Sequence, residues 1–355
     1  MRLALVMSHA DRSLNGAVRE LHFCKALKGL GWEVEIFRMH AGPDIEHETY
    51  MDSVTATFCP VNEPGPIPHH LTSNPLYEAV KAFRPDLILY KGLNYRINQF
   101  INNRMGNRCP FGFIVGGDIK DPILDQASVI FAEYPEQMAA HFQTQADAGR
   151  AVVMPKYIDA DLCFSTPAPR RTFDLINVGN FYEKRKNQRD LLPFSAKRTI
   201  ALVGAGTPAP EFWDGVPDRS KVTLLGKLDR AGVYRALQRA KVMFHTSTMD
   251  GLPRSIIEGM ACGTPVVAYR DTIAGGFIDG VHGFLVTPET AEAAVDRLLD
   301  DAALRRKFSV AARKHALLNH GPDAIRRSAE AFTRLFKQTR GLRAPMPEAS
   351  QRLSA

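Results

Sequence analysis

Short apolar runs rich in β-branched and aromatic residues alternate with helix-period segments along most of the chain, and that alternation leaves few folds open. In the first half the runs are Leu3–Met7, Val34–Arg38, Asp86–Tyr90, Phe111–Val115, Val129–Ala132 and Ala151–Met154. A second series reads Phe173–Val178, Thr199–Val203, Val222–Leu225, Val242–His245 and Pro265–Ala268. Near-continuous apolar strands separated by helices are the pattern of βαβ units, because a parallel sheet is covered on both faces. Between the first two runs, Val18, Leu21, Leu27 and Leu30 recur at helical spacing and predict a helix from about Ala17 to Leu30. Pro60–Pro75, full of Pro and His, reads as a loop, and the acidic stretch Asp44–Glu48 is expected in a second, solvent-facing one.

At 355 residues the chain exceeds what a single core usually supports, and the two strand series supply the natural division. Between them, Asp159–Arg171 (DADLCFSTPAPRR) has linker composition. The expected organisation is a Rossmann-like domain over 1–158, a linker over 159–171 and a second Rossmann-like domain over 172–320. A helix over 321–341 and a disordered tail over 342–355 complete it. Such sheets bind ligands beyond the carboxyl ends of their strands.

Several function classes drop out. The net charge of +7 is a tail property: residues 1–155 carry 14 Lys/Arg against 17 Asp/Glu, whereas residues 302–355 carry 12 against 3. No basic stripe with interleaved aromatics suggests nucleic-acid binding. The five cysteines form no C-x-x-C pair, which argues against a disulfide scaffold and fits a reducing cytoplasm. No apolar run is long enough to span a membrane. The eleven histidines show no H-x-x-x-H or H-x-H pairing, so no metal site is expected, and the absence of G-x-S-x-G disfavours a serine hydrolase.

The most informative segment is Ser247–Gly263, STMDGLPRSIIEGMACG. A strand ends, a Gly251-Leu252-Pro253 turn follows, and a helix opens near Arg254 with Glu258 one turn inside. A helix amino end supplies N–H groups and partial positive charge, which suit a phosphate. A carboxylate one turn in can accept hydrogen bonds from a vicinal diol such as ribose. The run DGLPRSIIEGMACGTPVVA resembles the E-x7-E element of retaining glycosyltransferases of family 4, which have the GT-B fold: two Rossmann-like α/β domains facing across a cleft. The resemblance implies that Glu258 holds the donor ribose and that Asp250, standing at the first Glu position, lies near the transferred sugar. It places the Gly251–Arg254 turn on the donor.

Other elements fall in the family's order. Asn177–Gln188, NVGNFYEKRKNQ, resembles the element whose Arg and Lys grip the donor diphosphate. Alignment on K-N makes Lys186 the phosphate lysine, with Arg185 or Lys184 as neighbours. Asn180 stands on this donor-binding element where the family has Arg, so a second cation must come from elsewhere, and Arg185 is the best candidate. Val203–Pro208, VGAGTP, reads as cleft lining near the nucleobase through Gly204 and Gly206 rather than as a dinucleotide fingerprint, since the third Gly is missing. Asn15-Gly16 resembles the first-domain Gly-rich loop, with Gly16 near the donor phosphates, although a bare turn reads almost as well. Pro110–Asp118 resembles a segment whose strand often ends His-Asp, but Gly117 occupies the His position. Val153–Asp159, VMPKYID, resembles the family's hinge element.

The resemblance implies transfer from a nucleotide diphosphate sugar to a saccharide, lipid-linked or small-molecule acceptor, with no cofactor and no metal. Two other readings stay open: a degenerate, non-catalytic GT-B protein, and a nicotinamide oxidoreductase resting on the β/α alternation and VGAGTP. In the tail, Ile325, Ala329, Phe332 and Phe336 recur at helical spacing among Arg326, Arg327, Arg334, Lys337 and Arg340, with Gly341 as a stop. That helix either packs on the slightly acidic first domain or lies on an anionic membrane surface, which would make a cytoplasmic protein peripheral to the inner face.

Overall fold

The computed structural model describes residues 1–14, 16–106, 108–117, 121–164 and 170–338. Asn15, Asp118, residues 165–169 of the expected linker, the helix stop at Gly341 and the tail 342–355 lie outside the described residues. The chain divides into two compact units, one comprising Met1–Pro155 together with the chain from Ala324 onward, the other Lys156–Asp323.

The first unit is built on β1 (Arg2–Met7), β2 (Glu33–His40), β3 (Glu46–Tyr50), β4 (Val54–Pro60), β5 (Leu87–Lys91), β6 (Phe111–Ile114), β7 (Val129–Ala132) and β8 (Ala151–Val153). They lie in the order β3-β4-β2-β1-β5-β6-β7-β8, parallel throughout except for β3, which runs antiparallel on β4. The central strand β1 has Leu3, Ala4, Leu5 and Val6 fully buried, as a strand covered on both faces requires. The Asp44–Glu48 loop reading is corrected here, because Glu46–Tyr50 forms an edge strand. Its side chains alternate between intermediate and exposed, and Arg12 pairs with both Glu46 and Glu48. Charge on an edge strand blocks unwanted pairing, and that same charge hides the strand from a hydrophobicity reading. The carboxyl-terminal helix, Pro322–Gln338, buries Ile325, Ala329, Phe332 and Phe336. In the first unit Phe332 stacks on Trp32 with centroids 5.1 Å apart and also meets Phe23 and Phe131.

The second unit contains β9 (Phe173–Val178), β10 (Ile200–Val203), β11 (Val222–Gly226), β12 (Ala240–His245), β13 (Val266–Tyr269) and β14 (Gly283–Val286), all parallel, in the order β11-β10-β9-β12-β13-β14. This is the doubly wound arrangement in which strand order reverses between the first and fourth strands. Leu175, Leu202, Val242, Phe244 and Val267 are fully buried in the core. The reversal lies between β9 and β12, whose carboxyl ends part there and leave a crevice.

Candidate functional site

Apart from Lys156, the segments that line the crevice follow the carboxyl ends of strands of this sheet. Gly179 and Asn180 follow β9, Gly204 and Ala205 follow β10, and Lys227 and Leu228 follow β11. After β12 the chain reaches Asp250, then Pro253 and the helix Arg254–Ala261. Together they enclose a cavity of about 470 Å³. Gly204 is dictated by the close approach of two of these segments: a Cβ there would sit 1.8 Å from the Gly179 carbonyl oxygen, so no larger residue fits.

The charge in the lining is lopsided. Lys156, Arg185, Lys186, Lys227 and Arg254 face it against the carboxylates Glu183, Asp250 and Glu258. The helix Arg254–Ala261 opens on Pro253 with no side-chain cap, so the positive end of its dipole is left for the cavity. A cation-rich crevice at a helix amino end is a site for a polyanion.

Two carboxylates in this site titrate in opposite directions. Glu258 is 8% exposed, and burial pushes its carboxyl up to about 7 against the opposing pull of Arg254 and Arg230. For Asp250 burial also acts upward, but hydrogen bonds from His245, Lys186 and Ser247 overcome it and hold the group well below the usual carboxylate range. Lys186 Nζ donates to Asp250 Oδ2 and Arg185 Nη1 to Asp250 Oδ1, each at 2.8 Å. His245, 1% exposed, places Nε2 3.2 Å from Asp250 Oδ2. An ionised carboxylate only accepts, so Nε2 carries the proton. Burial lowers the imidazole's pKa despite the Asp250 contact, and its Nδ1 is buried without a hydrogen-bond partner among the described residues.

The residues singled out from the sequence therefore separate. Asn180, Arg185, Lys186, Gly204, Asp250, Pro253, Arg254 and Glu258 line the cavity. Gly206, Gly251 and Leu252 flank it without lining it, and Leu252 contributes only its carbonyl, which accepts from Lys156 Nζ at 2.6 Å. Gly16 belongs to the other unit. Asn180 braces the wall of the crevice, its Oδ1 accepting from Ala205 N at 3.0 Å and its Nδ2 donating to Glu183 Oε1 at 2.8 Å. Lys156, Glu183, Lys227 and His245 are not singled out by the sequence. Lys227 and His245 each sit at the carboxyl end of an expected strand, which is the available signal.

Comparison with known proteins adds the class. Residues 172–301 match the family model described as glycosyl transferases group 1. No curated protein sequence matches the chain. Among solved structures, sucrose-phosphate synthase from Thermosynechococcus elongatus superposes with a TM-score of 0.71 at 19% identity, covering 95% of this chain and 98% of its own. Anabaena HepE in complex with UDP and glucose gives 0.68 at 19% identity, with coverage of 93% and 99%. The pneumococcal O-GlcNAc transferase GtfA with UDP and GlcNAc gives 0.67 at 9% identity, covering 95% and 99%. Residues 172–301 are thus a domain of the glycosyl transferases group 1 class, within a chain that has the GT-B fold.

Proposed function

We propose that the protein transfers a glycosyl group from a nucleoside diphosphate sugar to an acceptor hydroxyl, with retention of configuration and without a metal ion. One observation carries the reading: Lys186, Arg185 and the uncapped amino end of the helix Arg254–Ala261 meet in one crevice with Glu258 one turn further in. A leaving diphosphate gathers negative charge as the glycosyl bond breaks, and fixed cations with a helix dipole stabilise that charge without reorganising. Glu258 would accept from the ribose hydroxyls. The diphosphate oxygen on the departing face would take the proton of the attacking hydroxyl, so no protein base is needed on that side. Five fixed cations in the lining are the support for metal independence. Because HepE and GtfA were solved with UDP beside a sugar, uridine diphosphate sugars head the panel to test.

The acceptor would be a saccharide, a lipid-linked molecule or a small hydroxyl compound. No helix among the described residues is long and apolar enough to cross a membrane. Peripheral contact with an anionic membrane would have to use the basic face of the helix Pro322–Gln338, whose apolar face is already buried. A non-catalytic nucleotide-binding protein is the second reading, favoured by Asn180, whose amide is committed to Glu183 and Ala205. Incubation with a panel of radiolabelled nucleotide sugars and mixed acceptors separates the two. Release of nucleoside diphosphate with labelled product supports transfer, whereas tight nucleotide binding without turnover across the panel supports the second reading.

A further inference from the structure

We infer that Asp250 is a built-in stand-in for the donor's diphosphate, occupying the clamp cations until the donor takes them from it. The inference rests on the donor site proposed above and concerns how that site is kept when empty. Asp250 uses both carboxylate oxygens: Oδ1 lies 2.8 Å from Arg185 Nη1 and Oδ2 lies 2.8 Å from Lys186 Nζ. These are the two cations that the lining offers at the turn after β9, and Asp250 lines the same cavity. The carboxylate side chain is 15% exposed and that of Lys186 13%, so the pair is screened little by water. A carboxylate bridging two cations in this way reproduces what one phosphate group of a diphosphate would present to them.

Two consequences follow from the charge balance. An entering diphosphate does not meet two free cations, so it gains only the difference between its own attraction and that of Asp250. After transfer the nucleoside diphosphate competes with an anion tethered beside it, at the high effective concentration of an intramolecular group, and that competition speeds its departure. The displaced carboxylate is not abandoned: His245 Nε2, at 3.2 Å from Oδ2, remains as a hydrogen-bond donor fixed in the wall. The side chain at 250 thus gives up its two cations, keeps His245 and stays at the cavity, where the transferred sugar would lie.

The test is calorimetric titration of the full chain with inorganic pyrophosphate and, separately, with UDP. Asp250→Asn is nearly isosteric and Asp250→Ser keeps a hydroxyl for His245, so two variants guard against a misfolded one, each checked by thermal melting. Removing the internal anion should tighten pyrophosphate and UDP binding about tenfold or more, the scale of close charge-pair coupling. UDP dissociation measured by stopped flow should slow in parallel. Wild type and both folded variants binding UDP with equal affinity would overturn the inference while leaving the donor site intact. If neither wild type nor variants bind pyrophosphate or UDP, the donor site itself falls and the inference falls with it.

Discussion

Trp32 Nε1 donates to Thr333 Oγ1 at 2.9 Å, joining residues 301 positions apart within the first unit. The contact is one part of an aromatic group in which Phe332 and Phe336 both pack on Trp32. It ties the helix Pro322–Gln338 to the turn that precedes β2, so that helix is part of the first unit's core. Phe332 is fully buried, and Phe332→Ala should cost about 3–5 kcal/mol, the range for a large aromatic removed from a core. Ending the chain at Asn319 should lower the melting temperature without any lipid present. A truncated protein that melts like the full chain would show that the helix is dispensable for stability.

Glu258 makes stability depend on pH in a particular direction. Its carboxyl is raised from 4.5 to about 7 by burial, so the folded protein holds the proton more tightly than the unfolded chain. The contribution is fully present below about pH 4.5 and is lost as pH rises through about 7. At 1.36 kcal/mol per unit, the shift corresponds to about 3 kcal/mol. Glu258→Gln removes the titration, so the variant should gain on wild type as pH rises from 5 to 8 in paired urea melts. Parallel curves for the two proteins would count against it.

The same group predicts linked proton release. Ribose hydroxyls donating to Glu258 favour its ionised form, so binding a nucleotide sugar near pH 6 should release a proton and affinity should rise until about pH 7. A sugar-capped diphosphate is the proper ligand, because it has no phosphate titrating in that window. Calorimetry in two buffers of different ionisation enthalpy measures the proton directly, and a zero difference refutes the role.

Much of both sheets is legible because buried parallel strands announce themselves: the apolar runs Phe173–Val178 and Val129–Ala132 coincide with β9 and β7 to the residue. The Gly251-Leu252-Pro253 turn also marks the helix opening at Arg254. Three strands escape: β3 because an edge strand carries charge, β4 because it lies among polar and turn residues, and β14 because it opens on Gly283 straight after a turn and offers only Phe284, Leu285 and Val286 as an apolar run. The site is harder, since topology assembles it. Lys156 and Leu252 touch across 96 positions, and no spacing rule reports that. Nor can the motif tell that Asp250 is tied to Lys186 and Arg185, because the resemblance places these residues with the sugar and with the diphosphate.

Lys184 and Lys186 provide a direct check on the clamp. They belong to the same 3-10 turn, yet only Lys186 lines the cavity, and its Nζ is on Asp250. Lys186→Ala should reduce kcat/KM by about 100-fold or more, the scale for losing one fixed charge on a developing anion. Lys184→Ala should stay within a few-fold of wild type. Equal losses would mean that the register of the turn has been misassigned.

The proposed metal independence draws on the same cations. Lys156, Arg185, Lys186, Lys227 and Arg254 give the lining the charge that a divalent ion would otherwise supply. Among the described residues, no three of His, Cys, Asp and Glu are grouped to hold a metal. Turnover in EDTA should match turnover with added Mg²⁺ or Mn²⁺. Activity that vanishes in EDTA and returns with either ion would put a metal in the clamp.

Gly117 supplies the last prediction, because it stands where the resembling family often carries His. Its φ of +74° lies in the left-handed region, which a side chain with a Cβ enters only at a cost of roughly 1–2 kcal/mol. Gln137 Nε2 donates to the Gly117 carbonyl at 2.6 Å and Gln137 Oε1 accepts from Glu133 N at 2.7 Å, so the side chain that holds the Gly117 carbonyl is itself anchored. Among the described residues space is not the obstacle, since nothing lies within 4 Å of an added Cβ; the backbone is. Gly117→His should therefore lower the melting temperature by a few degrees, by about the same amount as Gly117→Ala, with no gain in turnover. A Gly117→His protein that is as stable as wild type and faster would show that the turn relaxes and that the glycine is no more than a missing side chain.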